Sequence, residues 1–160
     1  GAGGFTEVSP DPFKPVIGGS IAMGDVDNDQ DLDVIITGDT INYYGITRLY
    51  KNDGTGIFTP TADLIDDTYY GGDLKMVDLD NDRDLDVLVS GINQHDQVVM
   101  GRYINDGDGQ FTPFEITNYK GTYFSTIEPA DYNKDGLMDI VALFGQGDEG
   151  IFIFYNNGIS

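Results

Sequence analysis

The sequence contains no cysteine, so neither a disulfide framework nor a thiolate metal site is available to it. Histidine is nearly absent: His95, between Gln94 and Asp96 in a polar loop, reads as a solvated residue rather than a base. Basic side chains are few, 8 against 28 acidic ones, and the formal charge of -20 repels phosphate backbones. Nucleic acid is therefore not an expected partner. No apolar run approaches the length of a membrane span, so no membrane insertion is expected, and no cleavable signal pattern is present. A sustained helical period is missing as well, which leaves strands to build the fold.

What the chain has in excess is aspartate, and it is concentrated. Asp25, Asp27, Asp29, Asp31 and Asp33 occupy alternate positions and lead straight into Val34, Ile35 and Ile36. Asp78, Asp80, Asp82, Asp84 and Asp86 do the same before Val87, Leu88 and Val89. Asp131, Asn133, Asp135, Leu137 and Asp139 hold the corresponding places before Ile140 and Val141. The first aspartates stand at 25, 78 and 131, two intervals of 53 residues. A charged loop at a fixed phase of a fixed period marks a repeat architecture. Of the 28 acidic residues, 13 lie in these three loops, which distinguishes cation sites from a generally acidic surface. Clustered like charges oppose folding unless a cation neutralises them.

The chain read in order gives four short strands per repeat. Residues 8 to 20, rich in Pro and Gly, form a connection; Ile21 to Gly24 enters the first aspartate loop and Val34 to Thr37 leaves it. The β-branched run after the loop predicts a strand buried on both faces. Thr47 to Lys51 is a third strand, Asn52-Asp53-Gly54 a hairpin turn, and Ile57 to Thr59 a fourth strand stopped by Pro60. The second repeat copies the plan with Leu74 to Val77, Val87 to Ser90, Val99 to Ile104, the turn Asn105-Asp106-Gly107, and Phe111-Thr112 stopped by Pro113. The third has Ile127 to Ala130, Ile140 to Leu143 and Ile151 to Tyr155, then Asn156-Asn157-Gly158. The expected fold is all-β, a β-propeller of four-stranded antiparallel blades with three blades per chain. It forms one propeller segment over residues 1–160, with repeats at about 1–53, 54–106 and 107–160. A β-sandwich has no reason to repeat at this interval, and a solenoid coil is shorter.

Oxygen ligands at loop positions 1, 3, 5 and 9, with a main-chain carbonyl at 7, can wrap a hard cation. The sets are Asp25, Asp27, Asp29, the Asp31 carbonyl and Asp33; Asp78, Asp80, Asp82, the Asp84 carbonyl and Asp86; and Asp131, Asn133, Asp135, the Leu137 carbonyl and Asp139. Several carboxylates among six to eight oxygens suit Ca²⁺ better than Mg²⁺, so about three Ca²⁺ per chain are expected. An EF-hand requires a bidentate acid at position 12, where this chain has Ile36, Val89 and Ala142. That motif is excluded. Position 6 is Gly136 in the third loop but Gln30 and Arg83 in the others, where a Cβ in a left-handed turn adds roughly 1 kcal/mol of strain.

These loops, the glycine pairs Gly18-Gly19 and Gly71-Gly72, and the Asn-Asp-Gly hairpins that precede Phe58 and Phe111 resemble the FG-GAP/VCBS repeats of integrin-α-type β-propellers. The resemblance covers the whole chain. It implies calcium in the hairpin between the first and second strands of each blade, with ligands on the other face or in the grooves between blades. The missing position-6 glycines and the three blades depart from it. Propellers close with roughly four to eight blades. Gly1 stands at the turn phase of Gly54, Gly107 and Gly158, so residues 4–8 read as an outer strand that completes a C-terminal blade. The expected partner is a second copy, two chains closing head to tail as a homodimeric six-bladed ring; the other reading is a piece of a longer propeller.

The function expected is that of a secreted or cell-surface binding or adhesion module for protein or glycan ligands. Phe13, Tyr43, Tyr44, Tyr69, Tyr70, Tyr119, Tyr123 and Phe124 lie in the inter-blade and second-to-third-strand loops, where aromatics serve recognition or wedge between blades as core. An accessory or catalytic propeller of a polysaccharide-degrading enzyme is the rival, and an excised or designed propeller fragment without a ligand a third. No catalytic constellation is visible, so an enzyme is not expected.

Overall fold

The computed structural model describes residues 3–42, 44–64, 72–93, 95, 97–119, 125–145 and 150–158. Among the described residues eleven strands fall into three antiparallel meanders: β1 (Ile17–Gly24), β2 (Asp33–Asp39), β3 (Gly45–Asn52) and β4 (Phe58–Asp63); β5 (Leu74–Val77), β6 (Asp86–Ile92), β7 (Val98–Asn105) and β8 (Phe111–Tyr119); and β9 (Ser125–Ala130), β10 (Asp139–Phe144) and β11 (Gly150–Phe154). Within each sheet the spatial order follows the chain. Two sheets are four-stranded and the third has three, consistent with propeller blades.

The apolar runs after the aspartate loops become the second strand of each sheet and its most buried one. Every residue of β6 is buried, and so is all of β2 but its last residue. Burial on both faces requires neighbours on both faces, and the two cores supply them. Val26, Ile35 and Leu49 of the first sheet pack on Leu74, Val87, Val89, Val99 and Tyr103 of the second. The other face of the second sheet presents Leu88, Ile92, Val98 and Met100 to Ile127, Ile140, Ala142 and Phe144 of the third. Each fully buried aliphatic side chain contributes roughly 1.5–3 kcal/mol, so the sheets are held to one another by these faces. A smaller cluster of Val34, Ile36 and Tyr50 lies on the far face of the first sheet under Phe13 and Val16. Phe13 meets Tyr50 edge-on at 5.1 Å between ring centroids, so this aromatic packs on the far face of the first sheet rather than between two sheets.

Several boundaries differ from those expected. Pro60 and Pro113 do not stop the fourth strands but sit inside β4 and β8, paired with Tyr50 and Tyr103 beside a register shift. Both strands are at the edge of their sheets, where a missing N–H costs no ladder bond. The first strand begins at Ile17 rather than Ile21, with an irregularity between Ile17 and Ser20 where Gly18 has φ of 61°. Residues 4–8, expected as an outer strand, belong to no sheet, and Phe5 stands fully exposed. The third sheet, with three strands, is the one that has room for a fourth.

The second glycine of each pair has a steric reason. A Cβ on Gly72 would lie 1.7 Å from the Ser90 carbonyl oxygen, and one on Gly19 would lie 2.0 Å from that of Thr37. The atoms in the way are backbone, which cannot rotate aside. Gly72→Ala is therefore expected to cost about 2–3 kcal/mol of unfolding free energy. Gly150→Ala, whose Cβ would meet only Phe152 at 3.5 Å, is expected to change it by less than about 0.5 kcal/mol. Equal denaturant midpoints for the two variants would show that the close approach carries no weight.

Candidate metal centres

Each aspartate loop joins the first strand of its sheet to the second, and its own carboxylates fold it. Asp25 accepts hydrogen bonds from the N–H groups of Asp29 (3.1 Å) and Gln30 (2.9 Å). Asp78 accepts from Asn81 and Arg83, and Asp131 from Lys134, Asp135 and Gly136. The carboxylate at position 5 then takes the N–H at position 7: Asp29 from Asp31, Asp82 from Asp84, Asp135 from Leu137. To turn this way the chain becomes left-handed at position 6 in all three loops, at Gln30 (75°), Arg83 (81°) and Gly136 (91°). Position 4 is left-handed too, at Asn28, Asn81 and Lys134. Asparagine tolerates this conformation better than most side chains, a signal that the sequence reading passed over.

The ninth-position aspartates are different. Asp33, Asp86 and Asp139 are fully buried. One oxygen of each accepts the N–H at loop position 2, from Val26, Leu79 or Tyr132. The other accepts the N–H of the asparagine at the end of the third strand, Asn52, Asn105 or Asn156. These carboxylates fasten the loop to the strand behind it. Burial pushes the Asp86 carboxyl up to about 6 against the downward pull of the Asn105 and Leu79 N–H groups, and the Asp80 and Asp82 charges add to the rise. Burial raises Asp33 as well.

Two clusters bring carboxylate oxygens within 4.8 Å of one another: Asp25, Asp27 and Asp29 in the first loop, and Asp78, Asp80 and Asp86 in the second. Asp33 and Asp82 are not members of these triads. Burial and then the adjoining Asp82 carboxylate raise Asp80, and the Asp27 and Asp29 charges act on Asp33. In the third loop Asn133 donates to Asp135 at 2.8 Å, joining positions 3 and 5 directly. The side chains of Asp31 and Asp84 lie against Gly54 and Gly107 of the hairpin turns, where a Cβ would come within 2.6 Å of the carboxylate. Position 7 can therefore serve a cation only through its main-chain carbonyl.

The donor set fits a hard cation. All candidate donors are oxygens, and one of them is unsatisfied: Asp27 Oδ1 is buried with no hydrogen-bond partner, while its Oδ2 accepts from Lys51 Nζ at 2.9 Å. A buried carboxylate oxygen without a partner is costly, and a coordinated cation would satisfy it. Lys51 also donates to the Asp108 carbonyl of the second sheet at 2.8 Å, so it is part of the contact between sheets.

The FG-GAP-like repeat family matches residues 25–89 and 90–142. The chain belongs to that family. No curated protein and no solved structure matches it. Of the other features singled out in this FG-GAP-like chain, His95 lies exposed in a turn, its N–H donating to Asn93 Oδ1. Tyr43, Tyr69, Tyr70, Gly71, Tyr123 and Phe124, and the Tyr119 side chain, lie outside the described residues. Tyr44 is exposed beside Ile41 in the loop between β2 and β3.

The ninth-position carboxylate predicts a test that separates folding from metal binding. Asp86→Ala strands two buried N–H groups and is expected to cost roughly 3–5 kcal/mol, in excess chelator as well as in calcium. Asp86→Asn keeps one acceptor oxygen and is expected to cost less. A cost confined to calcium-containing buffer would show that Asp86 acts as a ligand alone.

Proposed function

We propose that this chain is a calcium-stabilised extracellular propeller module that binds protein or carbohydrate ligands and is not an enzyme. The observation that carries the calcium part is the unpartnered, buried Asp27 Oδ1 within a cluster of three aspartates. Oxygen-only donors with several carboxylates favour Ca²⁺, since Mg²⁺ gives up its water reluctantly. The sites are Asp25, Asp27, Asp29, the Asp31 carbonyl and Asp33; Asp78, Asp80, Asp82, the Asp84 carbonyl and Asp86; and Asp131, Asn133, Asp135, the Leu137 carbonyl and Asp139. About three ions per chain would supply the positive charge that lets these groups converge. An affinity of roughly 10⁻⁴ to 10⁻³ M suits a calcium-rich extracellular compartment, and repeats of this family support that location.

Chelation is expected to lower the melting temperature, because an ion that binds only the folded state stabilises it by mass action. Asp80→Ala is expected to reduce the calcium stoichiometry by one site in a calorimetric titration. A melting curve unmoved by excess chelator would overturn the structural role of calcium.

The loop between β2 and β3 stands at the opposite end of the strands from the aspartate loops. There Tyr44 and Ile41 form an exposed apolar and aromatic tip suited to stacking on sugars or to protein recognition. On a glycan array the labelled protein is expected to retain at least one class of oligosaccharide, and Tyr44→Ala to lose it. Retention unchanged in that variant would move the ligand site elsewhere.

A further inference from the structure

The three aspartate loops differ in one charged neighbour. The residue before the asparagine that closes the third strand is Lys51 in the first repeat, Ile104 in the second and Tyr155 in the third. Lys51 Nζ donates to Asp27 Oδ2 at 2.9 Å and to the Asp108 carbonyl of the second sheet at 2.8 Å. Its stem crosses Gly109, where φ is 73°, in space that a side chain there would fill. A Cβ on Gly109 would lie 3.0 Å from both Cε and Nζ of the lysine. Ion pairs in open solvent contribute little, but this one is drawn in: the Asp27 side chain is 19% exposed and that of Lys51 33%.

The Asp27 carboxylate is thereby divided. Oδ2 is held by the ammonium, and Oδ1 is the buried oxygen left without a hydrogen-bond partner. Asp25, Asp27 and Asp29 bring ligand atoms within 4.8 Å of one another, so a cation held by them shares Asp27 with a fixed positive charge. We infer that Lys51 is a built-in counter-cation of the first loop, which weakens calcium binding there and holds the loop to the second sheet when calcium is scarce. This rests on the calcium reading of the aspartate loops.

One charge acts here in two senses. With an ion in the first loop, the ammonium repels it and competes for the same carboxylate, so affinity falls. Without the ion, the ammonium offsets part of the loop's own repulsion, so the fold is retained. Asn28, next to Asp27, crosses to the second sheet too, donating to Asp84 (2.8 Å) and to the Gly107 carbonyl (3.3 Å). The step from the second sheet to the third uses an asparagine in the same way, Asn81 to the Gly136 carbonyl at 2.9 Å, with uncharged Ile104 in the place of Lys51. The ammonium is what the first crossing has in addition.

Calcium titration of the isotope-labelled chain, followed by amide NMR, tests this loop by loop. Gln30 and Asp31 report the first loop, Arg83 and Asp84 the second. Lys51→Met keeps the stem and removes the charge. Its first-loop midpoint is expected at about ten-fold lower calcium than the parent's, with the second loop unmoved. Its melting temperature is expected to fall in excess chelator and to lie closer to the parent's in saturating calcium. An equal fall in both conditions with an unmoved midpoint would make Lys51 a structural contact only and overturn the inference. Ile104→Lys supplies the charge where the parent has none, and is expected to raise the second-loop midpoint about ten-fold. An unchanged second-loop midpoint overturns the inference as well, and this variant decides it if Lys51→Met does not fold without calcium. Parent amides unmoved by calcium in every loop would remove the calcium reading itself. Amides that move with equal midpoints in parent and variants would remove the role of Lys51 alone.

Discussion

A fully buried carboxylate at the ninth loop position is the constraint on which the rest of the structure depends. Asp86 is held by the N–H of Leu79 at 2.7 Å, in the aspartate loop, and that of Asn105 at 2.9 Å, at the end of β7. Asn105 then turns its side-chain amide to the Val26 carbonyl, and the Val26 N–H is held by Asp33. In the other direction the Leu79 carbonyl takes the amide of Asn156, whose N–H is held by Asp139. A single chain of hydrogen bonds thus runs through all three sheets. Each link includes an ionised acceptor or a buried amide, the kind of bond that is expensive to leave half made. The apolar cores set how closely the sheets approach; this polar chain sets their register.

The remaining carboxylates answer a different problem. Positions 1 and 5 spend oxygens on loop N–H groups, which turns the loop but gathers negative charge. The three loops meet that repulsion unequally. The first has an internal ammonium, Lys51, on one oxygen of Asp27. The second places its ninth-position acid within the cluster, where desolvation raises Asp86 most. The third replaces a carboxylate by Asn133 and has glycine at position 6. Tolerance of strain and tolerance of charge trade against each other along the repeat.

Much of this was legible in the sequence because the period and the loop chemistry coincide. The three loops, the second strands and the hairpin turns all carry residue types that their geometry demands. What was hidden lies where equivalent positions hold unlike residues or an ordinary role masks a special one. Ser20, Asp73 and Thr126 are 53 residues apart and meet in space, Asp73 accepting from both hydroxyls, yet their types differ. Pro60 and Pro113 read as strand stops because sequence does not show which strand will be an edge. Asp33, Asp86 and Asp139 were counted simply as ligands, since an aspartate that closes a loop and one that binds a cation look alike. The asparagines that end the third strands were read as turn residues, and their reach to the next sheet depends on a packing no local pattern reveals.

The polar chain has a direction, and that limits how the sheets can face one another. Its acceptor end is a main-chain carbonyl at loop position 2, and its donor end is an asparagine amide at the close of the third strand. Two like faces brought together would set carbonyl against carbonyl or amide against amide, with buried groups left unpaired. Only unlike faces complete the series, and the two interfaces of this chain repeat the same sense. Between the sheets lie side chains of the size of Leu49, Val89 and Leu88. The asparagines and the carbonyls they reach therefore specify which faces meet, while the apolar layers fill the space between them.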